Sequence, residues 1–157
     1  MVSAAFAARA RGFTLPEMLA VVAILATLSA LAAPSFSGLI ATMRARSASS
    51  ELYAALTRAR SEAIKRNAEV TLAPASARQW QGGWSIPDPL DASRKLDAHG
   101  AVPGATITGP DNVIFLANGR VKGGAQPSFD ISVTGSAAHR CISVDLGGRP
   151  NQSNQSC

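Results

Sequence analysis

The chain has 157 residues, of which 46% are hydrophobic, and its 15 basic and 10 acidic side chains give a formal net charge of +5. That length suits one modest domain with an appendage. Without Arg9 and Arg11 the balance is 13 basic against 10 acidic, a mild surplus that by itself does not argue for nucleic acid as a partner. The only histidines are His99 and His139, and the sequence holds no HExxH pair, no GxSxG elbow and no phosphate-binding GxxxxGKS loop. No catalytic residue, metal site or cofactor is expected, and an enzyme is the least favoured reading.

The first element is an apolar run. Arg9 and Arg11 precede it, and from Met18 to Met43 no residue is charged. Met18 to Ala33 alone spans about 24 Å as a helix at 1.5 Å per residue. Together with Phe13–Glu17 it can cross a thin bilayer core. Basic residues ahead of an apolar segment orient the rest of the chain across the membrane. Pro34 is expected to kink the helix or end its first part, and Arg44 and Arg46 mark the departure from lipid.

Two readings of this segment compete. An ordinary secretory signal would be cut after the apolar run, near Leu31–Ala33. The alternative cut lies before the run, between Gly12 and Phe13, and keeps the helix on the mature protein. It also explains Glu17. A carboxylate in an apolar helix is costly, about 2.5–3.5 kcal/mol at the bilayer centre, and calls for a partner. Cutting after Gly12 creates an amino group on Phe13, four residues from Glu17, which can pair with it in the same chain or in a neighbour.

A second helical pattern follows. Ala48, Leu52, Ala55, Leu56, Ala59 and Ala63 recur at spacings of three and four and form a core-facing stripe. Glu51, Arg58, Glu62 and Lys65 lie on another face. Arg58–Glu62 and Glu62–Arg66 are candidate i,i+4 pairs, and Asn67 is the expected stop. Beyond it the pattern turns to short strands: Glu69–Ala73, Trp84–Ile86, Thr106–Thr108 within a loop-rich 87–110, Asn112–Leu116, Phe129–Thr134 and Cys141–Leu146. Asn118-Gly119 suits a type I′ hairpin turn. The expected fold is α+β, one long N-terminal helix laid on a small antiparallel sheet.

Cys141 and Cys157 enclose fifteen residues near the end. In an exported domain they are expected to form a disulfide, with two free thiols as the alternative. A bridge over that span is worth about 3 kcal/mol in the chain-entropy picture. Trp80 and Trp84 are read as core residues.

Gly12-Phe13-Thr14-Leu15-Pro16-Glu17 resembles the processing site of type IV prepilins and type II secretion pseudopilins. The basic leader and the apolar run agree with that pattern, while Pro16 replaces the usual aliphatic residue. Proline is tolerated in a first helical turn, where its missing N–H is not used. "LYAALTRARSEAIKR" (52–66), "WQGGW" (80–84), Phe115 with Gly119, and "RCISVDLGGRP" (140–150) resemble the GspH/FimT group of minor pilins and pseudopilins. The resemblance implies a pilin-like division: a leader 1–12, a transmembrane helix half 13–39, an amphipathic half 40–67 and an antiparallel β domain 68–157. It implies cleavage by a prepilin peptidase, N-methylation of Phe13, and a packing role for Glu17 in a filament. It also implies a single-pass inner-membrane subunit with a periplasmic domain. The expected partners are an assembly platform and other major or minor pilins or pseudopilins.

Some FimT-like minor pilins bind DNA through a C-terminal Gly-Arg-X-Arg motif. Gly148-Arg149 matches its first half, and Asn151 stands where the second arginine would be. The resemblance therefore implies only weak DNA binding, at Gly148 and Arg149, with Arg140 and Arg120 adding charge if the fold brings them close. Function then has three forms: a minor pilin for pilus assembly, a GspH-like pseudopilin of type II secretion, or a DNA-binding module for natural transformation.

Overall fold

The structure is a computed structural model that describes residues 13–134, 137 and 139–157, with the side chains of 32–35 and 92 outside the description. The leader and Gly12 therefore lie outside the described residues. Contacts divide the chain into two units, Met1–Ser37 and Gly38–Cys157. One helix, α1 (Leu15–Arg66), contributes to both. It continues through Pro34 rather than ending there.

In the first unit α1 begins with a capping arrangement. Glu17 N–H and Met18 N–H donate to the Thr14 carbonyl, each at 3.1 Å. Glu17 Oε2 accepts from the Thr14 backbone N–H at 3.4 Å, a long bond. Thr14 three residues ahead of Glu17 thus forms half of a capping box, and Pro16 occupies the first turn. Beyond it Leu19, Val22, Leu25 and Leu28 are all exposed.

In the second unit α1 buries Ala41, Ala45, Ala48, Leu52, Ala55, Leu56, Ala59 and Ala63. The alanines let the helix approach the sheets closely while the two leucines fill the space between. The helix ends in a Schellman arrangement. Ala68 N–H donates to the Ala63 carbonyl and Asn67 N–H to the Ile64 carbonyl, with Asn67 at φ 50°. Of the expected i,i+4 pairs, Glu62–Arg66 is present at 2.7 Å. Arg58 reaches Asp97 instead, at 3.6 Å.

Eight strands follow: β1 (Val70–Pro74), β2 (Trp84–Asp88), β3 (Asp91–His99), β4 (Ala105–Thr108), β5 (Val113–Phe115), β6 (Ser128–Val133), β7 (His139–Val144) and β8 (Pro150–Ser153). They form two antiparallel four-stranded sheets, ordered β3-β2-β1-β5 and β4-β6-β7-β8, rather than the single sheet expected. Both sheets share one core with α1, which includes Val70, Leu72 and Ile86 from the first and Ile107, Phe129, Ile131 and Ile142 from the second. Trp80 is fully buried, meets Phe129 edge-on at 4.8 Å, and donates from Nε1 to the Pro110 carbonyl at 2.7 Å. Trp84 is buried and stacks on His99 at 4.3 Å. Both tryptophans are core residues, as expected.

β3 and β8 were not expected. Both are edge strands whose described side chains are exposed or only partly buried, so neither shows apolar alternation. The turn after β5 also differs. Gly119 N–H donates to the Leu116 carbonyl and Leu116 N–H to the Arg120 carbonyl, with only Gly119 at positive φ. A type I′ turn requires positive φ at both central residues, so this is a three-residue loop closed by a left-handed glycine.

Candidate functional site

Two parts of the molecule carry candidate residues, one in each unit. In the first, Phe13 and Leu15 are each 75% exposed, and the apolar side chains of α1 continue in the open through Leu31. Among the described residues no single helix is long and apolar enough to cross a membrane, whereas Leu15–Leu31 and Phe36–Arg66 together have the length and composition for it. Glu17, still joined to the leader, bonds Thr14 as described, an interaction that sequence reading missed although the Thr-x-x-Glu spacing signals it.

The second part is the end of the β domain. Cys141 and Cys157 are joined by a disulfide, as expected. Between them the chain is not a loose polar loop. β7 and β8 form a hairpin whose register runs from Val144↔Pro150 to Cys141↔Ser153. Its turn repeats the pattern of the turn after β5. Gly148 N–H donates to the Asp145 carbonyl and Asp145 N–H to the Arg149 carbonyl, with Gly148 at φ 78°.

These two turns, one from each sheet, touch. A Cβ on Gly148 would collide with the Gly119 carbonyl oxygen. Both glycines are buried, and the arginine after each, Arg120 and Arg149, is exposed. Arg60 of α1 spans the pair: Nε donates to the Gly119 carbonyl at 3.1 Å, and Nη2 donates to the Gly147 carbonyl at 3.1 Å. Neither Arg120 nor Arg149 has an ion pair or side-chain hydrogen bond among the described residues. Asp145 supplies the opposing charge, its Oδ1 accepting from the Arg149 backbone N–H at 2.8 Å.

The fold therefore brings Gly148, Arg149 and Arg120 together and leaves Arg140 apart. Arg140 pairs with Ile131 in the β6–β7 ladder and hydrogen-bonds Asn154. It lies five residues before the turn, about 17 Å along the strand at ~3.4 Å per residue. Asn151 is exposed and paired with Ser143. Arg60 was missed because an arginine on a helix reads as a solvated charge, and only the tertiary contact reveals its fork.

The histidines have structural neighbours. His99 meets Glu51 at 3.1 Å and His139 meets Asp130 at 3.1 Å. Among the described residues no group of His, Cys, Asp and Glu could hold a metal ion.

A long N-terminal helix, exposed and apolar at its start and packed on antiparallel sheets at its end, defines a pilin-like subunit. Two family models match the chain: "Type II transport protein GspH" over residues 48–148 and "Prokaryotic N-terminal methylation motif" over residues 7–33. The chain belongs to the GspH family of minor pilins and pseudopilins, a family of structural pilin subunits rather than of enzymes. Its structure is similar to the type IV minor pilin FimU of Pseudomonas aeruginosa, with a TM-score of 0.62 and 26% identity over 71% of this chain and 98% of that one. A second crystal form of FimU matches at 24% identity with a TM-score of 0.61, covering 71% of this chain and 93% of that one. No curated protein matches the chain.

Proposed function

We propose that the chain is a minor type IV pilin that helps to start or cap a pilus. It is made with a leader, cut between Gly12 and Phe13 by a prepilin peptidase, and N-methylated on Phe13. The apolar half of α1 holds it in the inner membrane as a single pass, with the β domain in the periplasm. An assembly platform then stacks it with other pilins. Glu17, freed from the leader, offers its carboxylate to a Phe13 ammonium, and the exposed apolar side chains of α1 exchange lipid for close packing against neighbouring helices.

The observation that carries this reading is one chain holding both an N-terminal methylation motif and a β domain similar to FimU over nearly all of the FimU chain. A GspH-like role in type II secretion is the alternative, favoured by the match to the GspH type II transport family. Deleting the gene from its host and restoring it separates them. Loss of sheared surface pili with normal protein secretion is expected. Normal pili with secreted proteins retained in the cell would replace the pilus reading by the secretion one.

A second reading adds DNA. Arg120 and Arg149 stand exposed, without ion pairs, on two turns in mutual contact. One cation gives little affinity at physiological salt, and two adjacent ones give more. Contacts of this kind go to phosphate and are independent of base sequence. Titration of the protein with short duplex DNA at two salt concentrations tests it. Weak, salt-sensitive binding that does not discriminate between sequences is expected, and binding indifferent to Arg149→Ala would exclude this site.

A further inference from the structure

We infer that Arg60 is a positioning residue that turns two separate Gly-Arg hairpins into one site for two neighbouring phosphates of a nucleic-acid backbone, an inference that rests on the DNA reading above. Neither arginine has a neighbour that fixes its side chain, so what is fixed is the base from which each one springs. Arg120 follows Gly119 directly, and Arg149 follows Gly148. The two glycines are packed so closely that the smallest side chain on Gly148 would strike the Gly119 carbonyl.

Arg60 holds that contact by a planar fork. Nε and Nη2 donate to carbonyls on different turns, both at 3.1 Å. A lysine could keep the charge but not two divergent, coplanar donors. The turns belong to different sheets, Leu116–Arg120 following β5 in one and Asp145–Arg149 joining β7 to β8 in the other. Among the described residues no ladder hydrogen bonds join those sheets, so the glycine contact and the Arg60 fork hold together the two backbone positions from which the arginines spring. Nε and Nη2 are committed to carbonyl oxygens of the two turns, so the part of Arg60 is to hold their bases rather than to grip the ligand.

The test uses the full chain in detergent micelles, titrated with short duplex DNA. If the site is one unit, Arg120→Ala and Arg149→Ala each weaken binding by about tenfold, and the double variant is little worse than either single one, because each removal already breaks the two-phosphate grip. In an Arg60→Lys background, with the charge retained, binding falls severalfold and the two alanine effects become additive. Gly148→Ala, which alters no charge and forces the turns apart, is expected to give the same loss, and it serves if Arg60→Lys fails to fold. Native affinity and retained coupling in both Arg60→Lys and Gly148→Ala would overturn the positioning role while leaving the DNA reading intact. Absence of DNA binding, or binding indifferent to both alanine variants, would overturn the DNA reading and this inference with it.

Discussion

Arg66, the last residue of the long helix, donates from Nη1 to the buried carboxylate of Asp88 at 3.2 Å, so that the end of α1 is tied to the end of β2. Asp88 also accepts from the Leu90 N–H at 3.1 Å and from Arg94 at 2.6 and 3.1 Å. Arg66 in turn bonds Glu62 at 2.7 Å. The Leu90 N–H, then Arg94, and the charge of Arg66 hold the Asp88 carboxyl below the usual carboxylate range. A hydrogen bond from Arg66 does the same for Glu62.

Acid is therefore expected to loosen the β domain. A carboxylate whose folded pKa is depressed contributes stability above its unfolded value, about 3.9 for aspartate and about 4.3 for glutamate. That contribution is lost as pH falls below those values toward the folded ones. The thermal midpoint should be flat near neutrality and drop below about pH 4. Asp88→Asn should lower the midpoint at neutral pH and flatten that acid dependence. An acid dependence identical to that of the native chain would show that Asp88 is not its source.

The Cys141–Cys157 disulfide should be present in the exported protein and should raise its stability. Cys141→Ser paired with Cys157→Ser is expected to cost about 3 kcal/mol, read from denaturant unfolding. Intact mass after alkylation, with and without reductant, reports the bond directly. Two alkylated thiols without reductant would exclude it.

Processing should leave Phe13 as the N-terminal residue, carrying one added methyl group. Sequencing or mass analysis of the membrane-extracted protein decides this. An N-terminus near Ala33 would remove the apolar half of the helix and with it the pilin mechanism.

Glu17→Val should leave the protein in the membrane, since the segment becomes more apolar. Incorporation into filaments should fall, because the Phe13 ammonium loses its partner. Cell fractionation and immunodetection of sheared filaments measure the two separately, and normal incorporation would remove Glu17 from the assembly contact.

Overpacking under the helix should also be measurable. Ala59 is fully buried against the sheets. Ala59→Leu is expected to destabilise by about 1–3 kcal/mol, because the added atoms have no room without moving the helix outward. Unchanged unfolding would mean that the helix–sheet layer yields more readily than its alanine stripe implies.

Much of this protein was legible in its sequence because the signals are local. The uncharged run to Met43, the alanine-leucine stripe from Ala48 to Ala63 and the stop at Asn67 follow from hydropathy and helical period, and the structure carries all three. The strands that bury one face, such as β4 with Ala105 and Ile107 and β6 with Phe129 and Ile131, alternate visibly. The pairing of Cys141 with Cys157 needed only two cysteines and the expectation of export.

What tertiary structure decided lacks such local marks. β3, with Arg94, Lys95 and Asp97, and β8, with Asn151 and Gln152, lie at sheet edges, where ladder hydrogen bonds rather than burial make the strand. The division into two sheets depends on which strands pair, and local alternation is blind to pairing. The same holds for the arginines. Arg140 and Arg149 are close in sequence and separated along a strand, whereas Arg120 and Arg149, twenty-nine positions apart, spring from touching turns. Sequence supplied the arginines. The packing of Gly119 on Gly148 under the Arg60 fork decided which of them spring from touching turns, since contact between turns of different sheets depends on the whole fold and on no local pattern.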